Sequence, residues 1–383
     1  MRNVCAVLVL AMMAFGLGSA CAPAAPAPPA AAPAPAAAQA APGAPRAAWE
    51  DEWDQAQAAA RQEGTVVVAG PPGPRYRDAA LAFEKAFPGI ALEFTGGFGR
   101  DLIPRILGER RNGVYNWDVF VGGSSNGYDL LPAGALQPLS PALILPAVTD
   151  DSKWFGGFAD GYHDKAHQYV FGFIGQLSVH VFVNRDVVPA AELSHVEQLV
   201  EPGWKGQIVW QDPRVTGAGA TTAGQLLLIE GEDFYRKLLA QDVVAMTDAR
   251  QQAELLVRGR YPIGIGVGSD RIAELQEAGL GKNVEPLDPH SPAGSRISSG
   301  FGALMLMDHP PHPNAAKVFV NWLLSQEGQT HWAKAADGNS RRLDVPGPPD
   351  TALYPGVERR TVNDEEYFDY ESRAREIARE IIP

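Results

Sequence analysis

Short apolar runs alternate with amphipathic stretches along most of the chain. The runs are bounded by glycine, proline or small polar residues, which is typical of buried strands. After the first run, Ala79, Phe83 and Ala86 recur at helical spacing. This order of strand, helix and strand predicts an α/β fold built on mostly parallel sheets covered by helices. The clearest candidate strands are 65–68, 90–94, 117–121, 207–210, 243–246 and 261–267.

Other segments depart from this rhythm. The β-rich runs 169–174 and 177–183 follow each other closely, which predicts a crossover out of the first part of the fold. An apolar stripe predicts one helix over about 314–328, and the charged tail ends in a predicted helix over 365–382.

The loops after the candidate strands are rich in glycine and hydroxyl side chains. Ligands of open α/β sheets bind at the carboxyl ends of strands, so we expect these loops to meet at one rim. The loop 216–219 precedes a helix, and the N–H groups and dipole at a helix start favour an anion. The predicted site comprises Gly70, Pro71, Arg75, Thr95, Gly96, Gly97, Arg100, Gly122, Gly123, Ser124, Ser125, Gln176, Asp212, Thr216, Gly217, Gly219, Gly268, Ser269 and Asp270.

The first residues have a different character. Arg2, an apolar run and a group of small residues form the pattern of a secretory signal peptide. Cys21 follows directly, which resembles the lipobox of bacterial lipoproteins, although Gly18 stands where leucine is usual. We expect a signal peptide over 1–20, lipidation of Cys21 and an Ala/Pro-rich tether over 21–48, which together hold the protein at an extracytoplasmic membrane surface. The alternative is a plain secretory signal.

Composition narrows the possible partners. Of the 383 residues, 45% are hydrophobic, which is ample for sizeable cores. The formal net charge of −13 makes nucleic acids and anionic lipid surfaces poor partners. The only cysteines are Cys5 and Cys21, and Cys5 would leave with the signal peptide. The mature chain is therefore expected to form no internal disulfide.

Three segments carry a family resemblance. Their residues are Leu81, Phe83, Glu84, Phe87, Pro88 and Gly89; Trp204, Lys205, Gly206, Ile208, Asp212 and Pro213; and His312, Pro313, Asn314, Ala315, Ala316, Lys317, Val318, Phe319, Trp322, Leu323, Leu324, Ser325, Glu327, Gly328 and Gln329. They resemble extracellular solute-binding proteins of ABC importers, in the type II group that includes ferric-iron-binding proteins.

The resemblance implies a two-lobed periplasmic-binding-protein fold that holds solute between its lobes. Lobe 1 would comprise 49–175 and 298–330, and lobe 2 would comprise 176–297 and 331–383. The implied partners are an ABC permease and its ATPase. We further expect a monomer with no enzymatic activity and no cofactor.

The predicted loops favour one class of solute. Backbone donors, with Arg75 or Arg100 at the rim, suit a small organic anion such as a carboxylate, phosphonate or phosphate ester. Ferric iron is the alternative, but this sequence lacks the adjacent tyrosine pair that several family members use, so we expect no metal. A polyamine would need carboxylates, and Asp212 or Asp270 could begin such a site.

Readings from other classes remain open. Residues 123–127 match G-x-S-x-G, the nucleophile elbow of serine hydrolases, with Ser125 as the nucleophile. Pro132 soon interrupts the helix that an elbow requires. His163 and His167 have the spacing of metal ligands on a helix but no third ligand at a standard distance, so we expect solvated histidines. Reuse of the binding fold as an adhesin or sensor is a further alternative.

Overall fold

A computed structural model describes residues 46–382. The predicted signal peptide, Cys21 and the tether as far as residue 45 lie outside the described residues. Within them, strands and helices alternate as the apolar pattern predicts. The strands are β1 (Thr65–Gly70), β2 (Ala91–Gly96), β3 (Val119–Gly122), β4 (Leu136–Gln137), β5 (Phe171–Gly172), β6 (Gln176–Val179), β7 (Val181–Asn184), β8 (Ile208–Gln211), β9 (Val244–Met246), β10 (Ile263–Ile265), β11 (Val284–Pro286), β12 (Ser295–Ser298) and β13 (Ala303–Met307).

Helices connect most of these strands. The side chain of Asp248 accepts from the backbone N–H groups of Arg250 and Gln251 and so caps one of them. Among the described helices, none is both long and apolar enough to cross a bilayer. The α-helices are α1 (Ala48–Glu63), α2 (Pro74–Ala86), α3 (Gly99–Arg111), α4 (Ser125–Leu130), α5 (Pro146–Thr149), α6 (Ala218–Leu239), α7 (Ala249–Val257), α8 (Ser269–Glu277), α9 (Pro313–Leu323), α10 (Gln326–Ala336) and α11 (Asp369–Ile381).

The first sheet organises lobe 1. Its strand order is β2-β1-β3-β13-β4, and β5 also pairs with β13. β1 runs parallel to β2 and to β3, whereas β13 runs antiparallel to β3. Helix α1 packs on α9, and α2 packs on α10, so that Phe83, Phe319 and Trp332 meet in the core. The three parallel strands therefore end at the same edge of the sheet.

The second sheet organises lobe 2. Its strand order is β11-β7-β10-β8-β9, with β8 parallel to both β10 and β9 and with β7 antiparallel to β10. Helices α6 and α11 pack against each other, and Trp210, Tyr235 and Ile377 lie in the core that they share with the sheet. The carboxyl ends of β8, β9 and β10 again lie along one edge.

A two-stranded ribbon joins the lobes. β6 and β12 pair antiparallel, with Gln176 opposite Ser298 and Ser178 opposite Arg296. The chain leaves lobe 1 after β5, passes through β6 into lobe 2, and returns through β12 to β13. We call this pair the hinge ribbon, because only a few residues there would need to adjust if the lobes rotated.

The crossover is shorter and more broken than the sequence predicts. The predicted strand 177–183 is interrupted at His180, whose N–H donates to the carbonyl of Gly294 and whose carbonyl accepts from the N–H of Gly266. His180 therefore moves the chain from the hinge ribbon to the second sheet. The predicted strand 169–174 contracts to the two residues of β5.

The late helix also differs from the prediction. The expected single helix over 314–328 is two helices, because the hydroxyl of Ser325 accepts from the N–H of Gly328 and starts α10. Gly328 thus lies inside a helix and does not end one. Residues 331–336 and Val345 pack with the core of lobe 1, although the sequence placed the stretch after 330 in lobe 2. The final helix, α11, packs in lobe 2.

Candidate functional site

The predicted loops of lobe 1 lie side by side. Gly70 at the end of β1 is paired with Gly96 at the end of β2. A Cβ atom on Gly96 would lie 3.0 Å from the carbonyl oxygen of Pro71, so these two loops touch. Asn126 approaches both Gly99 and Gly122, which brings the start of α3 to the end of β3. The first three loops therefore form one continuous edge.

The two predicted arginines of lobe 1 lie on its surface. The Arg75 guanidinium lies 5.0 Å from the centre of the Tyr76 ring, in a depression shared with Lys334 of α10. The Arg100 guanidinium lies 4.3 Å from the centre of the Phe98 ring. Thr95 and Gly97 flank Gly96, in the loop that leads to Arg100.

The two serines after β3 have different environments. Ser124 is buried, and its hydroxyl donates to the carbonyl of Asn363 in the tail at 3.0 Å. Ser125 is exposed at the start of α4, and no histidine in the described part of the chain hydrogen-bonds to it. α4 ends at Leu130. The Ser124 hydroxyl is therefore already hydrogen-bonded within the protein, and Ser125 has no described histidine beside it to act as the general base of a hydrolase.

The lobe 2 edge is assembled from small residues. A Cβ atom on Gly219 would lie 1.8 Å from the carbonyl oxygen of Gln211, so only glycine lets α6 begin this close to the end of β8. Gly266, after β10, lies against Gly219 in turn. The N-terminal turn of α6, which follows Gly217, therefore stands directly at the carboxyl ends of β8 and β10.

Several polar groups of this edge already have protein partners. Both oxygens of Asp212 accept from the Arg214 guanidinium at 2.9 Å, and this hydrogen bonding lowers the pKa of Asp212. The hydroxyl of Thr216 accepts from Arg375 at 2.7 Å. Asp270 is exposed at the start of α8, next to Gly268 and Ser269. A cationic solute would therefore have to compete with Arg214 for Asp212.

The hinge ribbon holds a half-buried arginine, Arg296, that the loop pattern did not predict. Residues directly opposite each other in an antiparallel pair share a face, so Gln176, Ser178, Arg296 and Ser298 lie together. The Nε and Nη1 atoms of Arg296 are buried without a hydrogen-bond partner in the described residues, and so is Oε1 of Gln176. In the sequence, a single charged residue within the short strand SRIS is the signal for this site.

The surroundings of Arg296 connect it to the start of α6. Burial lowers the pKa of Arg296 to about 10, and the charge of Glu371 opposes that shift. Glu371 accepts at 3.1 Å from the hydroxyl of Thr221, in the first turn of α6. Burial and the charge of Arg296 also lower the pKa of His180, which keeps this buried imidazole neutral. The Glu371 carboxylate therefore connects Arg296 electrostatically to the first turn of α6.

A tail segment, residues 358–368, forms a third connection between the lobes, and we call it the strap. On the lobe 2 side, Gln225 of α6 donates to the carbonyl of Arg360 at 3.0 Å and accepts from the N–H of Val362 at 3.1 Å. The hydroxyl of Thr361 donates to the carbonyl of Ile297 in the hinge ribbon at 3.0 Å. These contacts fix the strap to lobe 2 and to the hinge.

On the lobe 1 side, the strap is held by Tyr128 and by an imidazole–carboxylate pair. Tyr128 donates to the carbonyl of Asn363, and His163 Nδ1 lies 2.6 Å from Asp364 Oδ1. His163 is only 5% exposed, so the expectation of a solvated histidine is wrong there, whereas His167 is exposed. His163 is buried because the strap covers it.

Comparisons with known proteins agree with this architecture. A family model described as "Bacterial extracellular solute-binding protein" matches residues 78–351. Iron uptake protein A2 from Synechocystis is 27% identical over 233 residues, which is 57% of this chain and 61% of that protein. The match thus spans about three-fifths of the length of this curated relative.

Solved structures share the fold at low identity. The Trichodesmium protein IdiA (FutA), in complex with iron and citrate, has a TM-score of 0.65 and 19% identity over 83% of this chain and 99% of its own. AfuA from Actinobacillus pleuropneumoniae, with fructose-6-phosphate bound, has a TM-score of 0.57 and 18% identity over 83% and 98% of the two chains. These likenesses confirm the predicted two-lobed type II periplasmic-binding-protein fold. With the family model matching most of its length, this chain belongs to the bacterial extracellular solute-binding proteins.

Proposed function

We propose that this protein captures a small organic anion between its two lobes. The buried, unpaired Nε and Nη1 groups of Arg296 carry this proposal. Burying guanidinium N–H groups without partners is costly, and a carboxylate or phosphonate that accepted from both the Nε and the Nη1 groups would remove that cost. The N–H groups at the start of α6, at the carboxyl ends of β8 and β10, would add backbone donors.

The predicted loops would supply the remaining contacts. The residues around Gly70, Gly96 and Gly122 form the lobe 1 edge, and those around Gly217 and Gly268 form the lobe 2 edge. When the two edges closed over an anion, they would bring together the two halves of the binding site, as in hinge-type binding proteins. Ser124 would contribute through its backbone, since its hydroxyl is bonded to the strap.

Iron is the second candidate solute, because relatives are named or crystallised as iron-binding proteins. The described residues favour an organic anion over a metal held by protein side chains alone. Among the described residues, one group of histidine and carboxylate side chains lies close enough together to share an ion. It comprises His195, Glu197 and Asp288, and none of these is a predicted site residue. The hydroxyls of Tyr128 and Tyr235 are bonded within the protein, and burial raises the pKa of both phenols. Iron carried by an organic anion is compatible with the site.

We also propose that the protein delivers its solute to an ABC permease and its ATPase, acting as a monomer held to the membrane through lipid on Cys21. Family membership supports the transport role. The sequence of the first 48 residues supports the anchor. The test is Cys21→Ser, which should move the protein from the membrane fraction to the soluble fraction and abolish labelling by a palmitate analogue.

Thermal unfolding with a solute panel tests the anion proposal. The panel contains carboxylates, phosphonates, phosphate esters, polyamines, ferric chloride and ferric citrate. Saturation at 100 times the Kd adds about 2.7 kcal/mol to the unfolding free energy, which is a shift of several degrees in Tm. Arg296→Met should lose the shift caused by anions, whereas Arg250→Met, on the exposed face of α7, should keep it.

Two results would overturn the proposal. One is an anion-induced shift of equal size in Arg296→Met and wild type. The other is a response confined to polyamines or to iron without an organic anion. A fluorophosphonate probe that labels Ser125 would favour the hydrolase alternative. Absence of permease and ATPase genes next to this one would favour an adhesin or sensor.

A further inference from the structure

Large apolar side chains are exposed on both of the loop edges that face the proposed solute. Phe301 is 36% exposed and Phe98 is 41% exposed on the lobe 1 side, and Val215 is 47% exposed on the lobe 2 side. Phe98 stands between the β2 end and α3, and Val215 lies in the loop between β8 and α6. Exposed apolar groups gathered at a binding site, beside a few polar ones, are typical of ligand pockets.

Phe301 is held in a defined position. It follows Gly300, whose φ of 51° lies in the left-handed region that glycine adopts readily and most other residues do not. The Phe301 ring meets the Tyr76 ring at 83° with 5.8 Å between centroids, and Tyr76 in turn packs on Trp332 in the core. The Gly300 carbonyl lies beside Gly123 of the β3 loop. Phe301 is therefore a supported aromatic surface between the β1 and β3 loops of lobe 1.

The aromatic surface and the buried cation are close along the chain. Arg296 lies in the hinge ribbon and Phe301 follows it by five residues, so their Cα atoms are at most about 18 Å apart. A solute that spanned the two would place its anionic group at the Arg296 guanidinium and its body against the Phe301 ring. Closure would bring the Val215 loop over that body from the other lobe.

We propose that the solute is an anion with a flat apolar body, an aryl carboxylate or aryl phosphonate, and that Phe301 selects for that body. This proposal rests on the anion-binding function proposed above. The aromatic ring of a solute would stack on the Phe301 ring and be buried there, whereas an aliphatic anion of one or two carbons has no ring to stack. Phe301 is thus a specificity-determining residue, while Arg296 would bind the charge common to all anions.

Isothermal titration of the protein with matched probes tests the proposal. The probes are benzoate against acetate, phenylphosphonate against methylphosphonate, and benzyl alcohol as an uncharged aryl control. Wild type should bind each aryl anion at least tenfold more tightly than its small partner. Phe301→Ala should weaken the aryl anions about three- to tenfold and leave the small anions within twofold.

Control variants separate this effect from damage to the fold. Trp49→Ala removes a side chain that is equally exposed (37%) on α1, and it should change no affinity. Phe301→Tyr keeps a ring and should keep most of the preference. Circular dichroism and Tm of each variant verify folding.

The outcomes distinguish the two proposals. Equal affinity for aryl and small anions in wild type, or an aryl preference unchanged in Phe301→Ala, would overturn the role of Phe301 and leave anion binding intact. Binding of benzyl alcohol as tight as that of benzoate would support the aromatic surface and refute the anionic solute. Failure of all the aryl probes while a small anion binds would refute the aryl class.

Discussion

Replacing Gln225 with leucine should loosen the strap from lobe 2. The Gln225 side chain makes two hydrogen bonds to the strap, at 3.0 Å to the Arg360 carbonyl and at 3.1 Å from the Val362 N–H. Gln225 is 1% exposed and Val362 is 3% exposed, so water cannot readily replace the bond to the Val362 N–H, whereas Arg360 is exposed. Leucine fills a similar volume but leaves both backbone groups unpaired.

The cost follows from those two bonds. The buried Val362 N–H that loses its partner costs about 1–1.5 kcal/mol, and loss of the bond to the more exposed Arg360 carbonyl costs about 0.5–1 kcal/mol, so the variant should lose about 2 kcal/mol of unfolding free energy. For a protein of this length, the loss corresponds to a fall of roughly 2–3 °C in Tm. Because the strap also binds Tyr128 and His163 of lobe 1, its release should widen the separation of the lobes.

A second buried glutamine provides the matched control. Gln252 donates at 2.8 Å to the Ile265 carbonyl, entirely within lobe 2. Gln252→Leu should lower Tm but leave the radius of gyration measured by small-angle X-ray scattering unchanged. Gln225→Leu should lower Tm and raise the radius of gyration of the solute-free protein. An unchanged radius in Gln225→Leu would refute the idea that the strap restrains the lobes.

Three further predictions concern the site and its supports. Gly219→Ala should cost at least about 2 kcal/mol of unfolding free energy and abolish solute binding, because the added Cβ would lie 1.8 Å from the Gln211 carbonyl oxygen. The control is Gly203→Ala, whose Cβ would have nothing within 4 Å and which should unfold in urea like wild type. Asp160→Asn should cost about 3 kcal/mol in the same assay, because it leaves the buried Arg341 without its 2.7 Å carboxylate partner. Arg359→Gln removes only the exposed partner of Asp160 and should cost under about 1 kcal/mol. Equal losses in the two variants would contradict this account. Hydrogen bonding to Arg342 lowers the pKa of Asp344 from its ordinary 3.8, so the folded state binds fewer protons, and this stabilisation is present above pH 3.8 and lost as pH falls through the folded value. Asp344→Asn should therefore flatten the fall in unfolding free energy below pH 4, and a wild-type slope in that variant would refute the assignment.

The apolar pattern determined the order of strands and helices and, with it, the α/β class. Apolar residues recur at one spacing in a buried strand and at another in an amphipathic helix, and a short window of sequence is enough to show either spacing. The small residues at the strand ends were equally legible: Gly219 and Gly96 are glycine because neighbouring backbone atoms approach too closely for a side chain. The helix stripe after 313 was visible too, although the cap at Ser325 that divides it was not recognised.

Tertiary structure alone decided which polar groups are available. Ser124 and Thr216 look like ligand groups in the sequence, but the Asn363 carbonyl and Arg375 bind their hydroxyls in the fold. Arg296 looks like an ordinary strand arginine, yet two of its guanidinium nitrogens are buried without a partner in the described residues, which makes it the best candidate for binding an anion. The availability of a polar group depends on neighbours brought from far along the chain, and local sequence carries no record of those neighbours.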